Sequence, residues 1–354
     1  MRSLFKYSTN KVFNKKTLIL LSSNPFSSGH VHFSTLAPDF FGGQYESIRE
    51  AALKKYGLSH LLKLTWPKSV DSSAKVDYMK KNPDTISQMY GESDLSQLPI
   101  FQGGFINFGY WPNSFLNKGK VTTEERIVCS KEMYRVIANL GNILSEYSLL
   151  EVGCGLGYGS SLVSQEYKPK LVIGMDISPE QIARAQKYQV SGITSGKLRF
   201  TIGKAESMPF VDGSFDCVIS VEAAQHFFSM KAFSTEVARV LKPGGKLVMT
   251  SFFPTSREGV NALNAIVPNY HIMGSQNTVD EVGEELTQCM EKVKINSIGK
   301  NVWFGLSKWL DQIGYQNQWS KIWCALYEKG LIDYMIYQAE APRKSFNSNQ
   351  RPTF

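Results

Sequence analysis

The amino-acid sequence predicts an α/β fold: a doubly wound, mostly parallel sheet with a helical cap before it and a lid after it. Three observations carry this expectation. Five short apolar runs recur between residues 149 and 253, and their length and their β-branched or aliphatic content suit buried strands. Helix signals fall between them, and strands that alternate with helices form parallel sheets covered on both faces. The first run leads straight into glycines at 153, 155, 157 and 159 in LLEVGCGLGYGS (149–160), a turn from a strand into a helix start.

In chain order, residues 1–38 hold Arg2, Lys6, Lys11, Lys15 and Lys16, ten serines or threonines, and no acidic residue before Asp39. A basic, hydroxyl-rich, acid-free leader has the composition of a mitochondrial transit peptide. The alternatives are a disordered tail on a cytoplasmic protein or a secretory signal. The second fits less well, because TLILL is short for an apolar core and no A-x-A site follows. Residues 39–145 read as a helical, loop-rich cap and substrate region. Within it IFQGGFINFGYWP (100–112) is a packed loop, since glycine weakens helix and strand interiors alike. Thr122 starts a helix, Glu125 is placed to complete a capping box, and Gly141 is placed to end it.

The core spans 146–255. Its strands are LLEVG (149–153), KLVIGMD (170–176), LRFTIG (198–203), FDCVISVE (215–222) and GGKLVMTSFF (244–253). Between the second and third, Ser178 caps a helix, Pro179 suits its first turn, Gln181 completes a box and Gly192 closes it. The helix before the fifth strand stops at LKPGG (241–245), where Pro243 cannot continue it. Residues 256–342 form the lid: a helix at 278–293, a strand near 294–300, and a Trp-rich helical stretch at 303–329. The alternating run DYMIYQAEA (333–341) then joins the sheet as a strand. The polar tail at 343–354 is expected to be disordered.

The formal charge is +8, and setting aside the five basic residues of the leader leaves +3, little support for a nucleic-acid footprint. The cysteines Cys129, Cys154, Cys217, Cys289 and Cys324 are scattered and form no CxxC pair. Neither a zinc site nor a disulfide framework is expected, and no other metal cluster stands out. No apolar run approaches the ~20 residues that cross a bilayer.

Glycine after a strand lets a ligand touch the backbone, and a helix start offers unpaired N–H groups. The surroundings narrow the choice of ligand. A P-loop would end in GK[ST], which is absent. A dinucleotide fingerprint, G-x-G-x-x-G/A, fails in both frames: counted from Gly153 its third glycine is Tyr158, and counted from Gly155 it is Ser160. Glu151, two residues before the first glycine, opposes pyrophosphate and suits a cationic amino-acid ligand. Asp176 ends the second strand, where a carboxylate accepts ribose hydroxyls. GKAESMPFVDGSFDCVISVEAAQHF (203–227) puts Ala205 and Glu206 in the loop after the third strand, within reach of an adenine edge.

With EVGCGLG, GMDIS, GKAESMPFVDGSFDCVIS and LKPGGKLV in that order and spacing, the chain resembles the class I S-adenosylmethionine (SAM)-dependent methyltransferases over about 145–255. FINFGYW and WSKIWCALYEKGLIDYMIY look like the branch that methylates small molecules, which includes natural-product, tocopherol and sterol methyltransferases. The resemblance implies a Rossmann-like sheet of seven strands, the last one antiparallel and formed by DYMIYQAEA. It implies SAM as cofactor and a small-molecule acceptor. Residue by residue, it implies that Gly153, Gly155 and Gly157 approach the methionine portion and that Glu151 helps hold its ammonium. Asp176 would bind the ribose, Ile177 would cover an adenine face, and Ala205 and Glu206 would meet the adenine edge.

Methyl transfer needs an aligned nucleophile, exclusion of water and, for some acceptors, a group that takes a proton. His226 follows the fourth strand in VEAAQHF, at the sheet edge where the ligand crevice belongs, and is the first candidate for a base. His271 is the second. Tyr110 and Trp111 are placed to close over the methyl donor, because aromatic faces attract cations; ordinary packing is the competing reading. Trp303, Trp309, Trp319 and Trp323 read as a small satellite core. Three rivals stand beside the methyltransferase reading. One is a binding or assembly factor that kept the fold without turnover. Another is a nucleic-acid methyltransferase, against which VEAAQHF occupies the place of an Asn/Asp-Pro-Pro-aromatic run. The third is an NAD oxidoreductase.

Overall fold

The computed structural model describes residues 43–63, 83–91, 94, 96, 101–267, 270, 274–313 and 318–343. The expected leader at 1–38, His271 and the tail from 344 lie outside the described residues.

Seven strands form one sheet: β1 (Ser148–Val152), β2 (Leu171–Asp176), β3 (Leu198–Ile202), β4 (Phe215–Val221), β5 (Leu241–Pro254), β6 (Glu291–Ser297) and β7 (Ile332–Glu340). Their order across the sheet is β3-β2-β1-β4-β5-β7-β6. The first five strands run parallel, and β7 is antiparallel to both β5 and β6. The expected final antiparallel strand is therefore β7. Strand order reverses between β1 and β4. In an open α/β sheet a ligand binds in the crevice beyond the carboxyl ends of the strands at that point.

Alternate residues of the strands face two cores. Leu149, Cys217, Ile219, Val248 and Ile336 lie on one face, and Leu150, Val218, Leu247, Met249 and Met335 on the other. Helix α4 (Thr123–Gly141) covers the first face. Its Cys129, Met133 and Ile137 recur at every fourth position and are fully buried, and each such burial stabilises by roughly 1.5–3 kcal/mol. Both halves of the capping box are present: Glu125 N–H donates to Thr122 Oγ1 at 3.2 Å, and Thr122 N–H donates to Glu125 Oε2 at 2.9 Å. Gly141 is the last helical residue, but Asn142 takes the left-handed conformation that ends the helix, at φ 49°.

Several expected boundaries move for identifiable reasons. Helix α6 (Pro179–Tyr188) stops before Gly192, which sits in the short helix α7 (Val190–Thr194); an added Cβ at Gly192 would lie 2.7 Å from Leu198 Cδ2. Its capping box is only half formed, because the Ser178 N–H goes to Asp176 Oδ1 instead of the Gln181 side chain. Helix α8 (Met230–Val240) ends before LKPGG, and Leu241 already pairs with Phe215. An irregularity with Gly244 at φ 76° follows, and pairing resumes at Lys246. The helix Val279–Cys289 is shorter than expected, and the charged strand β6 begins at Glu291 on the sheet edge, where Lys292 and Lys294 discourage further pairing.

The Trp-rich stretch divides into a π-helical turn (Lys300–Phe304) and the helices Gly305–Gln312 and Gln318–Glu328. Trp303, Trp309 and Trp323 are part of the large first core, with Leu149 and Val248, and not of a separate satellite. No described helix is long and apolar enough to cross a membrane.

Thr122→Ala removes one half of the capping box and is expected to cost about 1 kcal/mol of stability, with Thr122→Ser close to wild type. Urea unfolding followed by circular dichroism measures this; an unchanged midpoint would show that packing alone fixes the start of α4.

Candidate active site

At the reversal point the ends of β1 and β4 open into a cavity of about 950 Å³, its mouth included. The loop after β1 forms one wall. Gly153 and Cys154 both donate their N–H to Met175 O, at 2.8 and 3.0 Å, which folds the loop over the end of β2. Asp176 completes the join. Its Oδ2 accepts from Gly155 N at 2.8 Å and its Oδ1 from Ser178 N at 2.9 Å. Each oxygen keeps further acceptor capacity, and Asp176 lines the cavity. Burial raises its pKa above the usual carboxylate value, while the amide bonds pull it back down.

The four spaced glycines do different things. An added Cβ at Gly153 would lie 2.2 Å from Ala223 Cβ, and one at Gly159 would lie 1.9 Å from Tyr134 Cζ. Both positions are glycine because the chain's own side chains sit there. Gly155 is the more open position: an added Cβ there meets only Ile106 Cδ1, at 3.2 Å, and the residue lines the cavity. Gly157 corrects the expectation drawn from the resemblance. It is not among the lining residues. Its φ of 71° starts helix α5 (Tyr158–Glu166), and Phe200 packs against it, 2.4 Å from where a Cβ would be.

Glu151 also departs from expectation. It is fully buried behind the loop and does not line the cavity. Tyr134 OH donates to its Oε1 at 2.8 Å, and Ser160 Oγ donates to its Oε2. Burial without a cation raises its pKa to about 7. The residue ties α4, β1 and α5 together and is not placed to hold a ligand's ammonium.

Tyr110 and Trp111 likewise do not line the cavity. Tyr110 donates its N–H to Cys129 O, and Trp111 is buried, with its indole N–H on Phe108 O. The cation over the Trp111 ring is the chain's own Arg126, whose guanidinium carbon lies 5.6 Å from the ring centroid and 5.5 Å from that of Trp309. Arg126 also donates to Asn107 O at 2.8 Å. The 101–112 loop is thus pinned inward, and it gives Phe105 and Ile106 to the cavity instead.

Of the remaining expected residues, Ile177, Ala205 and Glu206 line the cavity. Glu206 Oε1 accepts from the backbone N–H of Phe228 and of Ser229, at 2.6 and 3.3 Å, tying that loop to the approach of α8. His226 also lines the cavity, and its Nε2 lies 2.7 Å from Tyr90 OH. Tyr90 belongs to helix α2 (Pro83–Gly91). Arg184 of α6 holds the end of that helix by donating to Gly91 O at 2.7 Å.

The residue that sequence reasoning passed over is Glu222. It closes β4, lines the cavity, and takes φ 52° without being glycine. Phe108 N–H and Tyr334 OH both donate to its Oε1, at 2.5 and 2.6 Å. Burial pushes its pKa up to about 7. The signal was present in VEAAQHF as a carboxylate at a strand end, four residues before His226.

Fold and site define a class: an open α/β sheet with a nucleoside-type crevice at its switch point, an acid ending β2, and glycine-rich backbone exposed beside it. The comparisons with known proteins agree with it. The family described as "Methyltransferase domain" matches residues 150–249. An O-methyltransferase of Aspergillus nomiae is 30% identical over 171 residues, 48% of this chain and 71% of that protein. The phthiotriol/phenolphthiotriol dimycocerosates methyltransferase of Mycobacterium leprae is 34% identical over 156 residues, 44% of this chain and 56% of that protein. Geranyl diphosphate C-methyltransferase from Streptomyces coelicolor superposes with a TM-score of 0.61 over 75% of this chain and 99% of that one, at 15% identity, a likeness of fold. The chain belongs to the class I SAM-dependent methyltransferases. It spans about half the length of several of the curated relatives it matches.

The buried Glu151 gives a pH prediction. Between its unfolded value of 4.5 and about 7 the folded state holds a proton that the unfolded chain has released. Raising pH through that window therefore removes stability, on the order of 3 kcal/mol in full. Glu222, raised to about 7 by its own burial, contributes a slope of the same sign, so Glu151→Gln is expected to reduce the loss of thermal stability between pH 5 and 7.5 by roughly half in differential scanning calorimetry and to melt above wild type at pH 7.5. A variant with the wild-type pH slope would show that Glu151 stays ionised.

Proposed function

We propose that this protein is an enzyme that transfers the methyl group of SAM to an oxygen, nitrogen, carbon or sulfur nucleophile of a small-molecule metabolite by in-line displacement. The observation that carries this reading is the Asp176 carboxylate, lining the cavity while it bonds the loop at Gly155 and the helix start at Ser178. The donor set fits the cofactor: an acid for ribose hydroxyls, open main chain at Gly155, and Ile177, Ala205 and Glu206 on the adenine side. When bound, SAM supplies an activated methyl group on a sulfonium, and S-adenosylhomocysteine is left behind.

The protein's part is position, dryness and a proton acceptor. Ile86, Phe105, Ile106 and Phe227 line the cavity and keep water from the reacting pair. His226 takes the acceptor's proton in this reading, directly or through the Tyr90 hydroxyl at 2.7 Å.

Asp176→Ala is expected to weaken SAM binding by roughly 10- to 100-fold in isothermal titration, as the loss of charge-assisted bonds to two hydroxyls requires. Unaltered affinity would remove the ribose role. With tritiated SAM and a metabolite extract, His226→Ala is expected to lower methyl incorporation by roughly 10²- to 10⁴-fold while SAM affinity stays near wild type. Full turnover across pH 6–9 in that variant overturns the base assignment.

A further inference from the structure

We infer that the acceptor is an uncharged, mostly apolar molecule that offers a hydroxyl or amine hydrogen to Glu222, and that Glu222 is the residue that rejects anionic acceptors. The inference rests on the methyltransferase reading and narrows it to a class of substrate.

The lining of the cavity carries the first half. Among the described residues, the acidic and basic side chains that line it are the carboxylates Asp176, Glu206 and Glu222 and the imidazole of His226, which is bonded to Tyr90 OH, and no lysine or arginine joins them. Asp176 and Glu206 lie on the cofactor's ribose and adenine side, which leaves Glu222 for the acceptor. Recognition of a phosphate, diphosphate or carboxylate draws on guanidinium or ammonium groups, or on a helix start aimed at the anion. Here an anion would meet a carboxylate inside a wall of Ile86, Phe105, Ile106, Val221 and Phe227. Arg126 does not fill the role, since it is buried between Trp111 and Trp309 and does not line the cavity. Arg184 is engaged with the carbonyls of Tyr90 and Gly91.

Glu222 itself carries the second half. Both of its donors, Phe108 N–H and Tyr334 OH, meet the same oxygen, Oε1. No described donor meets Oε2, so this carboxylate, set in an apolar wall, keeps one oxygen for a hydrogen supplied from outside. The backbone at Glu222 is in the left-handed region at φ 52°, where a side chain other than glycine, asparagine or aspartate is unfavourable. Glycine at 222 would relieve that strain. The chain keeps a glutamate at the end of β4 instead, and fixes its orientation from two other elements, the 101–112 loop and β7. Burial pushes the carboxyl to about 7, which suits a group that exchanges a hydrogen bond with a neutral partner.

Three matched probes test this on the full-length protein saturated with S-adenosylhomocysteine: 2-naphthol, 2-methoxynaphthalene and 2-naphthyl phosphate. They share one ring system and differ in the donor and in the charge. Isothermal titration at pH 7.5 is expected to show 2-naphthol binding at least 10-fold tighter than the other two. Glu222→Gln should shrink the preference for 2-naphthol over the phosphate by at least 10-fold, while Glu222→Asp, which restores the charge, should keep it. Thermal unfolding of both variants shows that the comparison is made on folded protein. The inference falls if 2-naphthyl phosphate binds wild type as tightly as 2-naphthol, if neither binds, or if Glu222→Gln leaves the ratio unchanged. A parallel titration with SAM separates the two readings. Absent SAM binding removes the methyltransferase proposal whatever the probes do, and SAM binding with a preferred phosphate removes only the claim about the acceptor.

Discussion

Asp176 holds together two segments that the sheet alone would leave apart. The loop after β1 and the start of α6 leave neighbouring strands, and the carboxylate accepts one amide from each. Because two backbone donors position this side chain, its remaining lone pairs are fixed in space before any ligand arrives, and ordering costs at binding are small. The same contact explains the half-formed cap of α6. Ser178 cannot give its N–H to Gln181 while that N–H serves Asp176. A local rule of helix starts yields to the site.

Glu151 and Glu222 show how two acids of one type acquire different work. Burial raises both to about 7, and their strands are neighbours in the sheet. Glu151 has a hydroxyl on each oxygen and no face on the cavity, so its chemistry is exhausted within the fold. Glu222 has both donors on one oxygen and borders the cavity. The difference lies in the partners' distribution and not in the degree of perturbation. A raised pKa alone would have ranked the two acids equal.

The sheet was largely legible because buried parallel strands announce themselves as apolar runs, and the structure places β1 to β5 within a few residues of those runs. The boundaries that moved did so where tertiary contacts outrank local signals. Gly192 is small because Leu198 presses on it, and Asn142 took the left-handed turn that Gly141 was expected to supply. The site was legible in part. Asp176, Ile177, Ala205, Glu206 and His226 were each tied to a strand end, and strand ends at the switch point face the crevice by topology. Glu151 lies one residue before the end of β1, whereas Glu222 lies one residue beyond the end of β4, and only the latter reaches the cavity. Tyr90 and Tyr134 reach the site from the cap and from α4 across long stretches of sequence, and no local pattern encodes such an arrival.

The glycine spacing and the aromatic loop carry the same lesson about close approach. Glycine at 153, 157 and 159 is explained by Ala223, Phe200 and Tyr134, all of them the chain's own. The cation near the FGYW aromatics is Arg126, again the chain's own. Motifs that read as ligand contacts are thus mainly the packing that makes the ligand contacts possible. Tyr134 can bond Glu151 only because Gly159 lets its ring lie on α5, and Phe108 can bond Glu222 only because Arg126 and Trp111 hold the loop inward. Gly153 and Gly155 both line the cavity, and Gly155, where an added Cβ would meet only Ile106 Cδ1, at 3.2 Å, carries Asp176 on its amide. A side chain at any of the three packed glycines would therefore reach the cavity indirectly, by shifting Tyr134, Phe200 or Ala223 and with them the loop that Asp176 holds.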